Sequence, residues 1–450
     1  MLLKLKLKIA HKLSNKMHRF INDFLVKWKS NGRRKPLLIR GARQAGKTYS
    51  ITNFAKQYFR IYVRIDFERE PDLKKIFDLD LDPKRICNEI EIIKNIKIVK
   101  GETLLFFDEI QECKNAIMSL RYFYEESPEL HLIATGSLLE FAMSDISFPV
   151  GRVQFYNIYP MSFPEFLLAQ GKDLLFDVLQ KEPHKLSQSI HQVLLRELRH
   201  YFFIGGMPES VKTYCETGSF IDCAEVQAEI INSLRMDFAK YSPKVDKDCL
   251  NSALTEIARN VGKQTKYSAL AQGYSNPTLK KAYVSLLMAN LIHQIQAINP
   301  IGFPVKVVSR RIFKTSILDI GLMNYLCGIS AGEEFLKSDL LAIYRGALAE
   351  QFVAQELAIT QKKNIYYWER MAKSSTAEVD FVIQKGNKWF PVEVKSGRGG
   401  SLKSLHLFLK EFRNCDYGIV LSTQEYNELP DQKLKFIPIY FTFSTSRITD

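Results

Sequence analysis

The sequence predicts an α/β protein in which a parallel-sheet core comes first and a smaller mixed part comes last. Three observations predict it. A short apolar strand, Leu37-Leu38-Ile39, runs into Gly41–Thr48, which reads G-x-x-x-x-G-K-T. The apolar run Leu104–Phe107 ends in Asp108-Glu109, about sixty residues after Thr48. Near the far end, Glu378–Ile383 and Trp389–Ser396 flank a Lys385-Gly386-Asn387 turn and carry Asp380, Glu393 and Lys395.

The first observation is a P-loop. Gly41 and Gly46 allow a turn tight enough for successive N–H groups to face an anionic phosphate, and the helix that begins near Lys47 adds its positive N-terminal end. Gly41, Ala42, Arg43, Gln44, Ala45, Gly46, Lys47 and Thr48 would line the polyphosphate of a nucleotide. Lys47 would reach the β- and γ-phosphates, and the Thr48 hydroxyl would sit on Mg²⁺. The amphipathic run Tyr49–Phe59 supplies the helix that the motif needs.

Arg60–Phe67 alternates and is rich in β-formers, which predicts a second strand; a polar helical stretch then extends to about Gly101. Leu104–Glu109 has the pattern of a buried parallel strand whose C-terminal end reaches the nucleotide. The two acids divide the work: Asp108 for the metal, Glu109 for polarising the attacking water. The next strand, Leu130–Thr135, is expected between the P-loop strand and the acidic one, so Thr135 or Ser137 could sense the γ-phosphate or only cap a turn.

Composition sets limits around this core. The chain has 450 residues, 46% apolar and 25% charged, too long for one core and suited to two or three domains. No apolar run is long enough to span a bilayer, and Met1–Ala10 alternates Leu with Lys instead of forming a leader, so a cytoplasmic location is expected. Seven cysteines are scattered without a C-x-x-C pair, which argues against disulfides and zinc. The formal charge is +14, and residues 1–40 hold twelve Lys/Arg against Asp23 alone. This segment could meet nucleic acid or an acidic membrane, or be a solvated helix with Phe20, Ile21, Phe24, Leu25 and Trp28 packed inward. Met17 is an alternative start.

Residues 165–240 read as helical, broken at Ile204-Gly205-Gly206-Met207-Pro208. Helices over Cys249–Asn260, Tyr267–Ala271 and Ser275–Leu287, followed by short strands at Leu291–Ile295 and Val305–Ile312, suggest a winged helix, with Lys280 and Lys281 placed to touch phosphate. From Gly346 the pattern changes to a helix carrying Glu350, then the hairpin. Glu393 and Lys395 share one strand face and Asp380 can join them. Two carboxylates converging with a lysine can hold a divalent metal and orient a water toward a phosphodiester. An amphipathic hairpin with surface salt bridges is the plainer alternative.

The set Gly41–Thr48, Phe107-Asp108-Glu109-Ile110-Gln111, Thr135-Gly136-Ser137, Gly151-Arg152-Val153 and Tyr159-Pro160-Met161-Ser162-Phe163 resembles a large bacterial and archaeal family of AAA+ ATPases that carry a C-terminal domain of unknown function. The resemblance runs from about Met17 to beyond Gly397. It implies ATP with Mg²⁺ and an ASCE-type P-loop core; AAA+ enzymes often take an arginine from a neighbouring subunit of a homo-oligomer, for which Arg121 or Arg152 could serve, a salt-bridged surface arginine being the plainer identity of either. It also implies a STAND-like element at Gly205–Pro208 where a helical lid meets the nucleotide. The C-terminal residues look like a PD-(D/E)-x-K nuclease fold, with Glu350, Asp380 and Glu393 as metal ligands, Lys395 as the catalytic lysine, and Val379 in place of the usual proline. The expected organisation is a basic segment (1–30), the ATPase domain (31–165), the helical lid (166–240), a winged-helix-like domain (241–335) and a nuclease-like domain (336–450). The expected function is ATP hydrolysis coupled to DNA binding or cleavage. The rival is an ATP-dependent switch controlling protein–protein contacts over an inactive nuclease-like scaffold.

Overall fold

The computed structural model describes residues 18–143, 151–241, 245–302, 305–309, 311–329, 346–361, 365–370, 377–395 and 401–445. The expected basic extension before Met17 lies outside them. The chain divides into two compact units, one of Arg19–Tyr159 with Met288–Asn290, the other holding the remainder.

The first unit is built on five strands, β1 (Leu37–Arg40), β2 (Ile61–Asp66), β3 (Thr103–Asp108), β4 (His131–Gly136) and β5 (Gln154–Asn157). All pair in parallel, in the order β2-β3-β4-β1-β5. Strand alternation sends side chains to both faces. Leu38, Val63, Ile65, Leu105, Phe107 and Leu132 pack with Ile86 and Ile90 of helix Pro83–Lys94 and with Ile117 and Leu120 of helix Lys114–Glu126. On the opposite face Leu37, Ile39, Leu104, Phe106 and Ile133 meet Ile51 and Phe54 of helix Lys47–Tyr58 and Ile21, Leu25 and Trp28 of helix Phe20–Ser30. A sheet covered on both faces is what a continuous apolar strand such as Leu104–Phe107 requires. The N-terminal helix is thus an inward-packed helix from Phe20 onward, and Trp28 Nε1 also donates to Lys35 O at 2.9 Å.

The second unit begins with helices, the longest being Gln188–Ile204 and Phe220–Met236. Two further helices, Lys247–Arg259 and Asn276–Met288, precede β6 (Ile292–Asn299), β7 (Lys306–Val307) and β8 (Phe313–Ile317). After helix Ala347–Gln361 come β9 (Tyr366–Glu369), β10 (Glu378–Lys385), β11 (Lys388–Lys395), β12 (Gly418–Ser422), β13 (Asn427–Leu429) and β14 (Leu434–Pro438). They form one nine-stranded sheet, ordered β13-β14-β12-β11-β10-β9-β6-β7, with β8 on β6.

The strands expected as the wing of a winged helix pair into this sheet. β6 pairs antiparallel with β8 and parallel with β9, where Gln296 is opposite Tyr366. Backbone pairing at the β9 edge satisfies donors and acceptors that an isolated hairpin would leave to water. The β10–β11 hairpin forms as expected, Phe381 opposite Val392 and Lys385 opposite Lys388, with Gly386 at φ +55° in the turn. Helix Ala347–Gln361 is bound to the sheet by its polar side chains: Gln351 Nε2 donates to Ile317 O at 2.7 Å, and its Oε1 accepts from Ile317 N at 2.9 Å.

The glycine break is explained within this unit. Gly205 has φ +75°, Gly206 N donates to Asp319 Oδ2 at 2.6 Å, and Gly206 O accepts from Met161 N at 2.6 Å. A Cβ on Gly206 would lie 2.0 Å from Met161 O, so only glycine fits.

Candidate functional site

The P-loop closes as its sequence dictates. Gly41 has φ +149°, and a Cβ there would lie 2.2 Å from Ile158 O; Gly46, at φ +91°, caps helix Lys47–Tyr58. Gln44 also takes a positive φ of +61°. Ala42 and Ala45 are buried beneath the turn. Lys47 is 6% exposed and its ammonium donates to Gly41 O at 3.0 Å and Ala42 O at 2.8 Å. Burial pulls its pKa down to about 8, against the opposing pull of Glu109 and Asp108. These carbonyls hold the ammonium beside the loop amides, within a lysine's reach of a phosphate bound to them.

Because β3 and β4 are adjacent, their C-terminal ends bring the remaining groups together. Asp108 is 1% exposed and accepts from the Thr48 hydroxyl at 3.1 and 3.3 Å, from the Thr135 hydroxyl, and from Arg64 at 2.6 and 3.1 Å. Glu109 stands at φ +50°, and its Oε2 accepts from Gln111 Nε2 at 2.6 Å and Ser137 Oγ at 3.1 Å. Thr135 and Ser137 are thus each turned onto one of the two acids. A hydroxyl and a carboxylate oxygen in contact are the hard-oxygen pair that suits Mg²⁺, so Thr48 and Asp108 fit the ion that this fold implies.

The C-terminal residues also converge, but around a different cation. Lys314 of β8 is 1% exposed, and its ammonium pairs with Glu378 Oε1 and lies 3.6 Å from both Glu350 Oε2 and Asp380 Oδ1. Asp380 Oδ2 accepts from Val394 N at 2.8 Å, and Lys395 Nζ donates to Glu393 Oε1 at 2.7 Å. Burial, with Asp380 beside them, pushes Glu350 up to about 8 and Glu393 up to about 7; burial raises Asp380 as well. Glu350 and Asp380, two of the expected metal ligands, each have an oxygen 3.6 Å from the Lys314 ammonium. Among the described residues no group of three or more His, Cys, Asp or Glu could hold a metal ion.

Residues 33–167 match the model of a family described as an AAA domain. Residues 33–167 are thus similar to an AAA domain. Residues 195–333 match a domain of unknown function (DUF8612), and residues 345–442 another (DUF4143). A search of curated proteins finds no match. Among solved structures, the Walker-type ATPase PABY2304 of Pyrococcus abyssi is 18% identical over 69% of this chain and 95% of its own, with a TM-score of 0.43. The RuvB Holliday junction branch migration motor of Thermotoga maritima is 16% identical over 60% of this chain and 85% of its own, with a TM-score of 0.26. Drosophila ORC bound to DNA is 11% identical over 69% and 94%, with a TM-score of 0.26.

Three residues of the P-loop site carry roles that their sequence did not assign. Arg64 on β2 reaches Asp108 because the β2–β3 register sets Asp66 opposite Asp108 and Arg64 opposite Phe106; alternation in Arg60–Phe67 was the only signal. Gln111 follows the acidic pair in the F-D-E-I-Q run and holds Glu109. Arg19 is buried and donates to Ala45 O at 3.3 Å and Tyr159 O at 2.7 Å, tying the loop to the chain before the first helix. Arg121 and Arg152 both pair with Glu125 Oε1, at 3.1 and 3.2 Å, on an exposed part of the domain. Among the described residues no helix is long and apolar enough to cross a membrane.

Proposed function

We propose that the chain binds ATP with Mg²⁺ at Gly41–Thr48 and hydrolyses it. The observation that carries this reading is the meeting of Lys47, Thr48, Asp108 and Glu109 at the C-terminal ends of β1 and β3, with Thr135 of β4 and Ser137 just past its end between them. The loop amides and Lys47 would hold the β- and γ-phosphates, and Thr48 with Asp108 would hold the ion. When bound, the ion would offset negative charge on the phosphates. Glu109, oriented by Gln111 and Ser137, would position and polarise the attacking water.

The test is steady-state phosphate release. Lys47→Ala should bring turnover to background, and Glu109→Gln should slow it by about 10²–10⁴-fold, the range for losing a general base. Turnover unchanged in Lys47→Ala overturns the site assignment.

The second part of the proposal concerns what the nucleotide controls. Residues 166–240 would act as the helical lid, 241–335 as a winged-helix-like segment and 336–450 as a nuclease-like domain, with DNA as the partner. The basic N-terminal segment and Lys280 with Lys281 support a phosphate-rich partner. A homo-oligomer would supply an arginine in trans once Arg121 or Arg152 left Glu125. The rival reading, a nucleotide-dependent switch over a scaffold that does not cut, is favoured by one observation: Lys314 lies among Glu350, Glu378 and Asp380. Anisotropy of labelled duplex DNA, with and without MgATP, separates the two, since the switch over a protein partner predicts no DNA binding in either state.

A further inference from the structure

The carboxylates of the nuclease-like hairpin come from three elements: Glu350 from helix Ala347–Gln361, Glu378 and Asp380 from β10, and Glu393 from β11. Carboxylates gathered this closely and partly withdrawn from water are stabilised by a counter-cation. The structure supplies one from outside the hairpin. Lys314 belongs to β8, a strand buried throughout Phe313–Ile317, and β8 reaches the cluster through β6, which pairs with both β8 and β9. Its ammonium pairs with Glu378, stands 3.6 Å from Glu350 and Asp380, and lies 5.4 Å from the Tyr367 ring centroid.

The surroundings fix it there. Gln264 Nε2 donates to Glu378 Oε2 at 2.6 Å and to Glu369 Oε2 at 2.8 Å, which turns the other Glu378 oxygen toward the lysine. Gly262, at φ +81°, comes so close to Glu350 that a Cβ would lie 2.6 Å from Oε2. Gly262, Gln264 and Lys314 all precede the helix that carries Glu350, so the cluster is completed by the middle of the chain.

We propose that Lys314 is a built-in cation occupying the position at which a nuclease of this fold would bind its metal, so that the C-terminal domain does not take up a divalent ion. Mg²⁺ needs oxygen ligands, carboxylates and waters together, at about 2.0–2.1 Å in near-octahedral array. An ammonium already within 3.6 Å of oxygens from three acids excludes that array by volume and repels the ion by charge. The inference goes beyond the ATPase reading and is independent of it, because it concerns only residues of the second unit.

The test is Mn²⁺ binding to the full, nucleotide-free chain, read by the loss of the free-ion electron paramagnetic resonance signal. Wild type and Asp380→Asn should bind the same amount of Mn²⁺, any weak uptake at the P-loop being common to both. Lys314→Met should gain one further Mn²⁺ per chain, and that gain should vanish in Lys314→Met/Asp380→Asn. The inference is overturned if wild type holds an Mn²⁺ that Asp380→Asn removes, or if folded Lys314→Met gains none. Should Lys314→Met fail to fold, the comparison of wild type with Asp380→Asn decides alone. Phosphate release from ATP, measured alongside, reports separately on the P-loop.

Discussion

Asp108 shows how one side chain in the AAA domain can be over-determined. It accepts from two hydroxyls and a guanidinium, so its orientation is fixed before any ion arrives. Thr135→Val keeps the shape and deletes one of those donors. The Mg²⁺ concentration giving half-maximal phosphate release should rise roughly 10-fold, as for other partners that orient a metal ligand, and a Mg²⁺ titration of turnover checks this. Glu356 in the second unit makes a different kind of prediction. Burial raises its carboxyl from the ordinary 4.5 to about 8; Phe163 N–H donates to Oε1 at 2.8 Å, while Oε2 has no hydrogen-bond partner among the described residues. Its contribution to stability is fully present below about pH 4.5 and is lost as pH rises through about 8, because the folded state binds the extra proton in that window. Glu356→Gln keeps the acceptor and removes the ionisation. Its Tm should therefore exceed that of wild type by a margin that widens from pH 5 to pH 8.5, and thermal melts at both pH values test it.

At the scale of elements, the glycine turn at Gly205-Gly206 is closed by contacts from Met161 and Asp319. Gly206→Ala forces a methyl against a backbone oxygen and should cost about 1–3 kcal/mol or more by the usual penalty for overpacking, measurable by urea denaturation. The turn was legible as a turn, but its partners lie dozens of residues away on either side. The same division holds elsewhere. The P-loop and the acidic end of β3 were readable because their chemistry is local: the motif specifies the turn, and a buried strand announces itself by an unbroken apolar run. The β10–β11 hairpin was readable from its alternation and its turn. Arg64, Lys314 and the merging of β6 into the larger sheet were not, because each depends on which strand lies beside which. Lys314 in particular lies between apolar and hydroxyl neighbours, with nothing in its local sequence to distinguish it from a surface lysine.

At the scale of the whole molecule, the proposal links an AAA domain to a partner-binding second unit, and linkage is reciprocal. If MgATP changes the affinity for duplex DNA by some factor, DNA must change the affinity for MgATP by the same factor. Anisotropy and calorimetry measure the two sides, and no DNA binding with or without MgATP would leave the protein-switch reading in place. All of this depends on nucleotide binding at one loop. The most direct test is isothermal titration of MgATP into the full chain and into Lys47→Ala: the account predicts one saturable site per chain in the first and none in the second. Absence of binding to the wild-type chain, or equal binding by both, would contradict it.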